Sequence, residues 1–522
     1  MSYRVCIPTA GTGSRLGEVT KYVNKSLVTV ANQSVISHVI DQFPVDAEFV
    51  IALGHKGDLV REYLEIAYPT RTFLFVNVSP YEGPGSGLGY TLLCCSQHLQ
   101  QPFVFCSNDT IITSPCPVPD HNWMSYASVE DITPYRTLRI LHGQVTEICE
   151  KNATGNDLEA YIGLAGISDY DLFWNAMEQG GDLAVQRGES YGMEKLIGND
   201  ILAYFYEWYD TGNTEMLERV RDALRKPDTP NILDKLDEAI WFVNSTVIKF
   251  SADSKFICNR VKRSELLGDY CPHVINAGKH MYQYLEVSGR VLSDVVNLPL
   301  FMQLLVYSRE FWKTEKLASE AQQIFQHTCL CFYRDKTDER IQLFYKRYKK
   351  SDGTKLINGE PMPTLRELLN SIDWNWMSDG LPGRFHGDFH FENILYSEGD
   401  NRFTFLDWRQ DFGGSLTTGD IYYDLAKLMH GLIISHELIS KDHFWVEWGK
   451  YEIRYDFHRK QILVECERTL NDWLVHEGYD LKKVRVLTAL VYLNIAALHH
   501  YPYCLLLYAL GKRMLKEELE KN

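Results

Sequence analysis

The stretch RFHGDFHFENILY, residues 384–396, constrains this chain most, because it combines polar side chains at fixed spacing with an apolar exit. Asp388 follows a His-Gly pair, and Asn393 comes five residues later, directly before an Ile-Leu-Tyr run. A second piece, FTFLDWR, places Asp407 at the end of a β-like apolar run. An Asp that accepts a proton, with an Asn and an Asp that hold Mg²⁺, is the minimal set for moving the γ-phosphate of a nucleotide. We therefore expect the chain to turn back after Asp388, so that Asn393 and Asp407 face the same metal ion.

This stretch resembles the catalytic loop of the aminoglycoside phosphotransferase and choline kinase superfamily, which is related to the protein kinases. The resemblance implies that Asp388 is the catalytic base, that Asn393 and Asp407 are Mg²⁺ ligands, and that GDIYYDLAKL (419–428) begins the helix after the metal ligand. One departure is an Asp-Phe-Gly triplet at Asp411, which imitates a protein-kinase metal motif. We favour Asp407 because it directly follows the apolar run, while Asp411 stays open as a competitor.

The N-terminus predicts a second phosphate site. The β-rich run YRVCIPTA leads directly into a Gly-rich loop, and Lys25 follows shortly afterwards. Gly11 and Gly13 allow backbone N–H groups to approach a phosphate, and Arg15 adds positive charge. The loop residues expected at the nucleotide are Ala10, Gly11, Thr12, Gly13 and Ser14.

This loop resembles the signature of the sugar-phosphate and phosphocholine nucleotidyltransferases, a Gly-x-Gly-(Thr/Ser)-Arg segment followed by Pro-Lys. In this chain Asn24 replaces the usual Pro, and the Lys is retained as Lys25. The resemblance implies that Arg15 and Lys25 act as catalytic cations. The Gly-Ser-Arg-Leu variant, with Thr20 soon after, is more similar to the cytidylyl members, so CTP is favoured as the second nucleotide.

Alternating strand and helix patterns from residue 49 onwards predict a parallel α/β sheet. The second Gly-rich loop, within residues 81–99, is implied by the same resemblance to hold the nucleotide base through Gly85, Ser86 and Gly87. Asp109 follows a hydrophobic strand, at the edge where open parallel sheets bind ligands.

The resemblance also assigns roles to four acidic or basic residues in the family's order. Asp109 and Asp210 are implied as the two Mg²⁺ carboxylates, and Glu150 and Lys151 as contacts to the substrate phosphate. Two carboxylates at strand ends can hold a metal ion between the reacting phosphates.

The segment at residues 222–239 carries two Pro and many charges, and we predict a domain boundary there. The predicted division is a nucleotidyltransferase domain at 1–225, a kinase-like N-lobe at 226–290, and a helical C-lobe at 291–522. In the N-lobe, Lys249 is expected to hold the nucleotide phosphates, with Glu265 as its partner. The predicted fold class is α/β: a Rossmann-like N-terminal domain with a mixed, mainly parallel sheet, followed by a bilobal protein-kinase-like α+β domain.

Two further segments of the C-terminal half are rich in basic or aromatic residues. The basic and aromatic run at residues 332–348 favours a solvated helix face over a phosphate contact. The late aromatic residues resemble those that surround the cationic acceptor in choline kinases, although ordinary core packing explains them equally well. They are Trp445, Trp448, Tyr451, Tyr455, Tyr501 and Tyr503.

Composition excludes several classes of protein. The 522 residues carry a formal net charge of −16, which disfavours a nucleic-acid partner. No run of about 20 apolar residues predicts a membrane span, and the N-terminus lacks a signal-peptide pattern. The 12 Cys lack zinc-site spacing and are interpreted as thiols of a cytoplasmic protein. Homo-oligomerisation stays open.

These features together predict a bifunctional transferase. ATP and Mg²⁺ would serve a kinase that phosphorylates a small alcohol, choline- or ethanolamine-like or a polyol. A second nucleotide, CTP favoured, would then react with that phosphate at the N-terminal site, also with Mg²⁺, to give a donor for surface polysaccharide or lipid decoration. The alternatives are a sugar kinase joined to a UDP- or GDP-sugar-forming enzyme, and a nucleotide-binding scaffold with one inactive domain.

Overall fold

The computed structural model describes residues 3–155, 157–225, 235–353 and 355–521. The chain divides into two compact units, Met1–Ile257 with Ile275–Glu286, and Cys258–Val274 with Val287–Asn522. The predicted boundary after residue 225 leads into residues 226–234, which lie outside the described residues. The division into three domains therefore stays a prediction.

The chain up to residue 251 contains fifteen described strands and seven described α-helices. The strands are β1 (Arg4–Pro8), β2 (Thr29–Val30), β3 (Gln33–Ser34), β4 (Glu48–Leu53), β5 (Thr72–Asn77), β6 (Phe103–Cys106), β7 (Thr110–Ile112), β8 (Trp123–Ala127), β9 (Thr137–Leu141), β10 (Gln144–Cys149), β11 (Leu158–Ile167), β12 (Leu202–Phe205), β13 (Trp208–Asp210), β14 (Glu238–Val243) and β15 (Thr246–Ser251). The helices are α1 (Val35–Ile40), α2 (Gly57–Ala67), α3 (Leu88–Cys95), α4 (Tyr170–Gln179), α5 (Gly181–Arg187), α6 (Glu189–Glu194) and α7 (Thr214–Leu224).

The main sheet of the first unit has the order β5-β4-β1-β6-β11-β8-β12-β10-β9. Strands β5, β4, β1 and β6 are parallel, whereas β11 runs antiparallel to β6 and β8. Val5 and Ile7 of β1 pack into one core and Cys6 into the other, because successive side chains point to opposite faces of a sheet. Strand β1 is therefore almost wholly apolar, as expected for a strand covered on both faces. The sheet is mixed, as predicted, with parallel strands grouped on one side.

The carboxyl ends of β1, β4 and β6 lie at one edge of this sheet, which is where ligands bind in such folds. The Gly-rich loop leaves β1 there, and Asp109 follows β6. The loop after β4 packs closely on the first loop, since a Cβ on Gly54 would lie 2.6 Å from the Ala10 carbonyl oxygen. The backbone N–H of His55 donates to the same carbonyl at 2.9 Å. The strand order thus brings the Gly-rich loop and Asp109 to the same edge of the sheet.

Helix α8 (Ser254–Leu267) and strands β16 (Val274–Ala277) and β17 (Met281–Leu285) follow. A four-stranded sheet has the order β14-β15-β17-β16. The predicted hairpin at residues 240–250 is confirmed as β14 and β15. Lys249 lies on β15, opposite Ile240 and Tyr282, and is 7% exposed.

The remaining chain contains nine described strands and eleven described α-helices. The strands are β18 (Arg290–Val291), β19 (Lys355–Ile357), β20 (Glu360–Met362), β21 (Pro382–Gly383), β22 (Ile394–Ser397), β23 (Arg402–Phe405), β24 (Gly419–Asp420), β25 (Phe444–Trp448) and β26 (Glu452–Phe457). The helices are α9 (Leu292–Val295), α10 (Leu298–Phe311), α11 (Ser319–Leu330), α12 (Lys336–Tyr348), α13 (Leu365–Asn370), α14 (Trp374–Ser378), α15 (Ile421–Ile433), α16 (His436–Ser440), α17 (Gln461–His476), α18 (Leu481–Ala496) and α19 (Tyr503–Glu520).

The core of the second unit is built around α18, which packs against both α15 and α19. Most residues of α18 are buried on every side, which explains why this segment is apolar without a clear periodicity. The prediction of a buried helical core near the C-terminus is confirmed. Strands β25 and β26 form a hairpin in a region that was expected to be helical, because its alternating aromatic and β-branched residues suit a half-buried strand. Among the described residues, no helix combines the length and apolar character that a membrane crossing requires.

Candidate active sites

The Gly-rich loop after β1 adopts a conformation that needs glycine at one position. Gly13 has a φ of 68°, in the left-handed region, and its missing side chain leaves room for Lys25. A Cβ on Gly13 would lie 3.0 Å from the Cβ of Lys25. Gly11 and Ser14 are exposed, whereas Ala10 is buried. The loop therefore presents its polar residues outwards and holds Lys25 against its base.

Asn24, which replaces the Pro of the resembled signature, fixes the position of Lys25. Its side chain is fully buried and donates to the carbonyl oxygens of Thr9 at 3.0 Å and His55 at 2.6 Å. Its Oδ1 accepts from the backbone N–H and the hydroxyl of Ser26, at 2.9 and 2.8 Å. One amide thus links the loops after β1 and β4 to the segment that carries Lys25. The sequence marked this position only as a departure from the pattern.

Asp109 lies beside Lys25 in the structure, and both residues were predicted to belong to the N-terminal site. The Nζ of Lys25 is 3.3 Å from Oδ2 of Asp109, and the hydroxyl of Ser107 donates to Oδ1 at 2.5 Å. Burial raises the pKa of Asp109, but Lys25, Ser107 and Arg15 outweigh burial, and the net pKa is lowered. Asp109 therefore carries a charge that its neighbours stabilise.

Asp210 reaches the same place from a strand far along the chain. Strand β13 pairs with β7, so that Asp210 lies opposite Thr110. The Asp210 carboxylate accepts from the backbone N–H of Gly212 at 2.7 Å and from the hydroxyl of Tyr135 at 3.0 Å. Tyr135 was not predicted, because no local pattern connects residue 135 with residue 210.

Gly212 lies between the charged groups of this site. A Cβ on Gly212 would be 2.9 Å from Oδ1 of Asp210, 3.4 Å from Oδ2 of Asp109 and 3.5 Å from an Arg15 nitrogen. Burial raises the pKa of Asp210, and the neighbouring charge of Asp109 raises it further. Two desolvated carboxylates that repel each other provide the oxygen ligands that suit Mg²⁺. Asp109 and Asp210 therefore fit the role of metal ligands that the sequence suggested.

The Glu150–Lys151 pair divides between two environments. Burial lowers the pKa of Lys151, and Arg15 and Arg136 lower it further, against the opposing charges of Asp109 and Asp210. Glu150 instead pairs with Arg136 and Arg187. The charged residues of the N-terminal site thus act on Lys151, whereas Glu150 forms ion pairs with Arg136 and Arg187.

The second Gly-rich loop is shaped by helix packing. A Cβ on Gly87 would lie 2.6 Å from the Val185 carbonyl oxygen, so glycine permits the close approach of α5. Gly85 has a φ of 82°, and the Ser86 hydroxyl donates to the Gly83 carbonyl at 2.7 Å. Contact of Gly85, Ser86 and Gly87 with a nucleotide stays a prediction.

In the second unit, a hairpin brings Asn393 and Asp407 together. Strands β22 and β23 pair antiparallel, with Ile394 opposite Phe405, and the backbone N–H of Leu406 donates to the Asn393 carbonyl at 2.7 Å. Every described hydrogen bond of the Asn393 side chain uses its Nδ2. Its amide oxygen and the Asp407 carboxylate are therefore suitable oxygen ligands for Mg²⁺.

Asp388 lies among three polar partners, and its two carboxylate oxygens face different ones. Its Oδ1 lies 2.7 Å from the Nζ of Lys427, while its Oδ2 accepts from Nδ2 of Asn393 at 3.2 Å and lies 3.6 Å from Nε2 of His390. Burial raises the pKa of Asp388, but Lys427 and His390 outweigh it and hold the pKa well below its usual range. Lys427, which is 8% exposed, lies within the motif that was interpreted only as a helix start.

Buried Asp424 fixes the backbone of the catalytic loop. It accepts from the backbone N–H groups of His386 and Gly387, both at 2.6 Å, and from Nε1 of Trp312 at 3.0 Å. Its side chain comes from α15, one turn before Lys427. Helix α15 thus supplies both the clamp for the loop and the cation for Asp388.

Arg263 holds the same loop from α8. The side chain is 1% exposed and donates to the carbonyl oxygens of Phe385, His386, Arg409 and Leu416. These contacts join the two strand ends that carry Asp388 and Asp407. Sequence reasoning gave no signal for Arg263, because its partners are backbone atoms.

The two candidate carboxylates after β23 differ in their surroundings. Asp411 accepts from the backbone N–H of Gly414 at 2.9 Å and so caps a turn. Asp407 has a φ of 55° and lies 3.1 Å from Arg260. A metal role for Asp407 therefore remains our preferred assignment.

Lys249 and Glu265 lie in different compact units. Lys249 is buried in its sheet, and Glu265 is exposed on α8. The predicted pairing of Lys249 with Glu265 stays a prediction. The described residues contain no group of three or more His, Cys, Asp or Glu able to hold a metal ion, so the proposed ligands occur in pairs.

Comparison with known proteins identifies similarity in the second unit. Residues 321–451 match the phosphotransferase enzyme family, and the match includes Asp388, Asn393 and Asp407. This match confirms the resemblance predicted for the C-terminal half and, with it, that the chain is a transferase. No curated protein sequence matches the chain at a significant level.

Several solved structures share part of the fold. A Bacillus anthracis protein assigned as a glucose-1-phosphate thymidylyltransferase is 19% identical, covers 45% of this chain and 98% of its own, and has a TM-score of 0.38. The CTP:phosphocholine cytidylyltransferase of Streptococcus pneumoniae is 16% identical, with 43% and 100% covered and a TM-score of 0.37. The inositol-1-phosphate CTP transferase of T. maritima is 12% identical, with 42% and 97% covered and a TM-score of 0.34.

All three of these structures carry the names of nucleotidyltransferases. The predicted fold class, a mixed α/β unit followed by a kinase-like α+β region, is confirmed. The chain is a transferase whose residues 321–451 are similar to the phosphotransferase enzyme family.

Proposed function

We propose that the chain is a bifunctional enzyme in which each compact unit carries one phosphate-transfer site. The observation that carries this proposal is that each unit gathers its own reacting set from distant parts of the chain. The first unit joins Lys25, Asp109 and Asp210, and the second joins Asp388, Asn393 and Lys427.

In the second unit, Asp388 is the residue that orients or deprotonates an acceptor hydroxyl. Its low pKa keeps it ionised, which suits positioning of the hydroxyl in a reaction that needs little proton transfer before the phosphoryl group moves. Asn393 and Asp407 would hold Mg²⁺, which neutralises charge on the phosphates of ATP when it is bound. Asp424 and Arg263 keep the loop in place.

In the first unit, the Gly-rich loop and Arg15 receive the phosphates of a second nucleotide, and Lys25 stabilises negative charge that develops at the α-phosphate. Asp109 and Asp210 would hold Mg²⁺ between the nucleotide and the attacking phosphate. The attack forms a new phosphoanhydride bond to the α-phosphorus and releases pyrophosphate. Lys151, which is acted on by the charges of Asp109 and Asp210, would contact the incoming phosphate.

The choice of the second nucleotide and the nature of the product are proposed from the sequence. CTP is our preferred second nucleotide because of the Gly-Ser-Arg-Leu variant at Gly13–Leu16. The product would be a nucleotide-activated alcohol for surface polysaccharide or lipid decoration, made in the cytoplasm, where both nucleotides are present.

The test is a product analysis of the full chain with ATP, Mg²⁺, one of CTP, UTP or GTP, and a panel of small alcohols and sugars. We expect Asp388→Asn to lower ADP formation by at least about a hundredfold, with no loss of pyrophosphate release when a phosphorylated acceptor is supplied. Asp109→Asn should do the reverse. Each variant is the control for the other, and loss of neither reaction would refute the assignment. Consumption of UTP or GTP without CTP would replace the cytidylyl assignment.

A further inference from the structure

Four cationic side chains lie near enough to act on one another's charge in the neighbourhood of Asp388, and we call them the cation cluster: Lys336, Arg340, Arg409 and Lys427. Lys427 binds Oδ1 of Asp388 at 2.7 Å. The side chain of Arg409 packs on the catalytic loop, because a Cβ on Gly387 would lie 2.5 Å from the Cβ of Arg409. The cluster therefore borders the reacting carboxylate.

A shared aromatic ring places Lys336 beside Arg409. The Nζ of Lys336 lies 4.1 Å from the centroid of the Phe332 ring, and the guanidinium of Arg409 lies 4.9 Å from the same centroid. Arg340 follows Lys336 by four residues on α12, so both side chains project from one face of that helix. Each of these side chains is partly or wholly buried.

This concentration of positive charge lacks balancing carboxylates. Within the described parts of the chain, no ion pair involves Lys336, Arg340 or Arg409, and Asp388 is already bonded to Lys427. Like charges in a partly desolvated site repel strongly, so the arrangement is costly unless an anion completes it. The cost is notable in a chain whose net charge is −16.

The titration of Lys336 supports the same conclusion. Burial lowers the pKa of Lys336, and Arg409, Arg340 and Lys427 lower it further, to about 7, with only Asp388 opposing. A bound anion would face all of these cations and raise that pKa again. Within the basic run at residues 332–348, Lys336 and Arg340 are therefore partly buried, whereas the sequence favoured a fully solvated helix face.

The two oxygens of Asp388 separate this cluster from the proposed metal side. Oδ2 contacts Asn393, a proposed Mg²⁺ ligand, whereas Oδ1 contacts Lys427. In an in-line phosphoryl transfer the acceptor and the leaving nucleotide occupy opposite sides of the transferred group. We assign the cation cluster to the acceptor side, because Lys427 contacts the oxygen of Asp388 that Asn393 does not contact.

We propose that the cation cluster binds an anionic group of the acceptor, so that the kinase substrate is an alcohol that already carries a phosphate or a carboxylate. This inference rests on the proposed kinase function. A quaternary ammonium such as choline would meet repulsion here. The late aromatic residues lie in different surroundings: Trp445, Tyr451 and Tyr501 are more than half exposed, and Tyr455 and Tyr503 are buried. The ring of Trp448 is already contacted by Lys350 and Lys355.

The first experiment measures sulfate binding to the full chain by calorimetry, with Mg²⁺ and the non-hydrolysable ATP analogue AMPPNP present to fill the nucleotide site. We expect Lys336→Met to weaken sulfate binding by at least about fivefold, and Lys336→Arg to retain it, because a charge-assisted contact is lost only in the first. Lys346→Met, at an exposed position on the same helix, is the matched control and should bind like wild type. Equal sulfate affinity in wild type and Lys336→Met would overturn the proposal.

The AMPPNP arm separates the two sources of an anion. If AMPPNP abolishes sulfate binding in wild type, the cluster holds the γ-phosphate of the nucleotide and the proposal is wrong. Sulfate keeps its charge near neutrality, so its affinity should fall as pH rises above about 7, by up to about tenfold per pH unit. This fall should disappear in Lys336→Met.

A second readout uses acceptors of similar size: glycerol, choline, glycerate and glycerol 3-phosphate. We expect any turnover to favour the two anionic acceptors, and preferred phosphorylation of choline or glycerol would overturn the proposal. The two failures can be told apart. If the kinase function itself is wrong, Asp388→Asn leaves ADP formation unchanged, whereas sulfate binding still reports on Lys336.

Discussion

The two candidate sites both pair a lysine with an aspartate, but they differ in whether a second carboxylate lies beside the pair. In the N-terminal site Lys25 and Asp109 are 3.3 Å apart, and a second carboxylate, Asp210, faces the first. In the C-terminal site Lys427 and Asp388 are 2.7 Å apart, and further cations face the lysine. The first arrangement gathers carboxylates, as a metal ion requires, and the second gathers cations, as an anion requires.

The two pairs also differ in how firmly they are held. Each side chain of the Lys25–Asp109 pair is about one-fifth exposed, whereas in the other pair the Lys427 side chain is 10% exposed and the Asp388 side chain 41%. The helix of Lys427 also clamps the loop of Asp388 through Asp424. We infer that Lys427 is the more firmly fixed of the two lysines, while its aspartate stays accessible. Four substitutions test this difference.

Removal of the buried lysine should have the largest effect. We expect Lys427→Met to lower the free energy of unfolding by about 1.5–3 kcal/mol, because a hydrogen bond between charged groups is lost while the partly exposed Asp388 can still be hydrated. Denaturant unfolding monitored by tryptophan fluorescence measures the change.

Two controls frame that result. Lys441→Met removes an exposed lysine paired with Glu437 in the same unit, and should cost less than about 1 kcal/mol. Lys25→Met should fall between the two. If Lys427→Met costs no more than Lys441→Met, Lys427 is not the more firmly fixed lysine.

The second test concerns the metal ligand of the kinase site. We expect Asp407→Asn to reduce kcat/KM for ATP by about a hundredfold, since a neutral amide binds Mg²⁺ less well than a carboxylate. Asp411→Asn is the matched control, and steady-state kinetics at several Mg²⁺ concentrations compares them. A larger loss in Asp411→Asn would transfer the metal role to Asp411.

The third test concerns the amide that fixes Lys25. Asn24→Ala leaves the buried carbonyl oxygens of Thr9 and His55 without their donor, at a cost of about 1–3 kcal/mol. Pyrophosphate release should fall while ADP formation in the same protein stays unchanged, which provides an internal control. Asn24→Pro, the residue of the resembled signature, should not restore activity, because proline cannot donate to those carbonyls. Full activity in Asn24→Pro would contradict this account.

The smallest expected effect is at Gly212. A methyl group there would lie 2.9 Å from Oδ1 of Asp210, so Gly212→Ala should displace the carboxylate. We expect about a tenfold rise in the Mg²⁺ concentration needed for half-maximal pyrophosphate release. Gly399→Ala, where a methyl group meets no atom within 4 Å, is the control. An unchanged Mg²⁺ requirement would remove Asp210 from the metal site.

Local sequence patterns predicted a substantial part of each site. The strand that leads into Gly11 and Gly13 is confirmed, as is the position of Asp109 after a buried strand. The return of the chain from Asn393 to Asp407 was expected, the structure supplies the hairpin that makes it, and the shared metal ion stays a prediction. These features depend on neighbours within a few residues, where glycine conformation and strand alternation set the backbone. The β25–β26 hairpin was missed, because short aromatic runs suit both helix and strand in isolation.

The sequence by itself indicated the kind of chemistry. Each of the two motifs lies within one short stretch of the chain: Asp388, Asn393 and Asp407 in one, and the Gly-rich loop with Lys25 in the other. Only the tertiary structure decided which charges surround those residues. Lys336, Arg409 and Lys427 come from a helix, the loop after β23 and another helix, and no local pattern relates them. The reason is physical: backbone preferences act over a few residues, whereas electrostatic environment is the sum over groups that folding brings together from the whole unit.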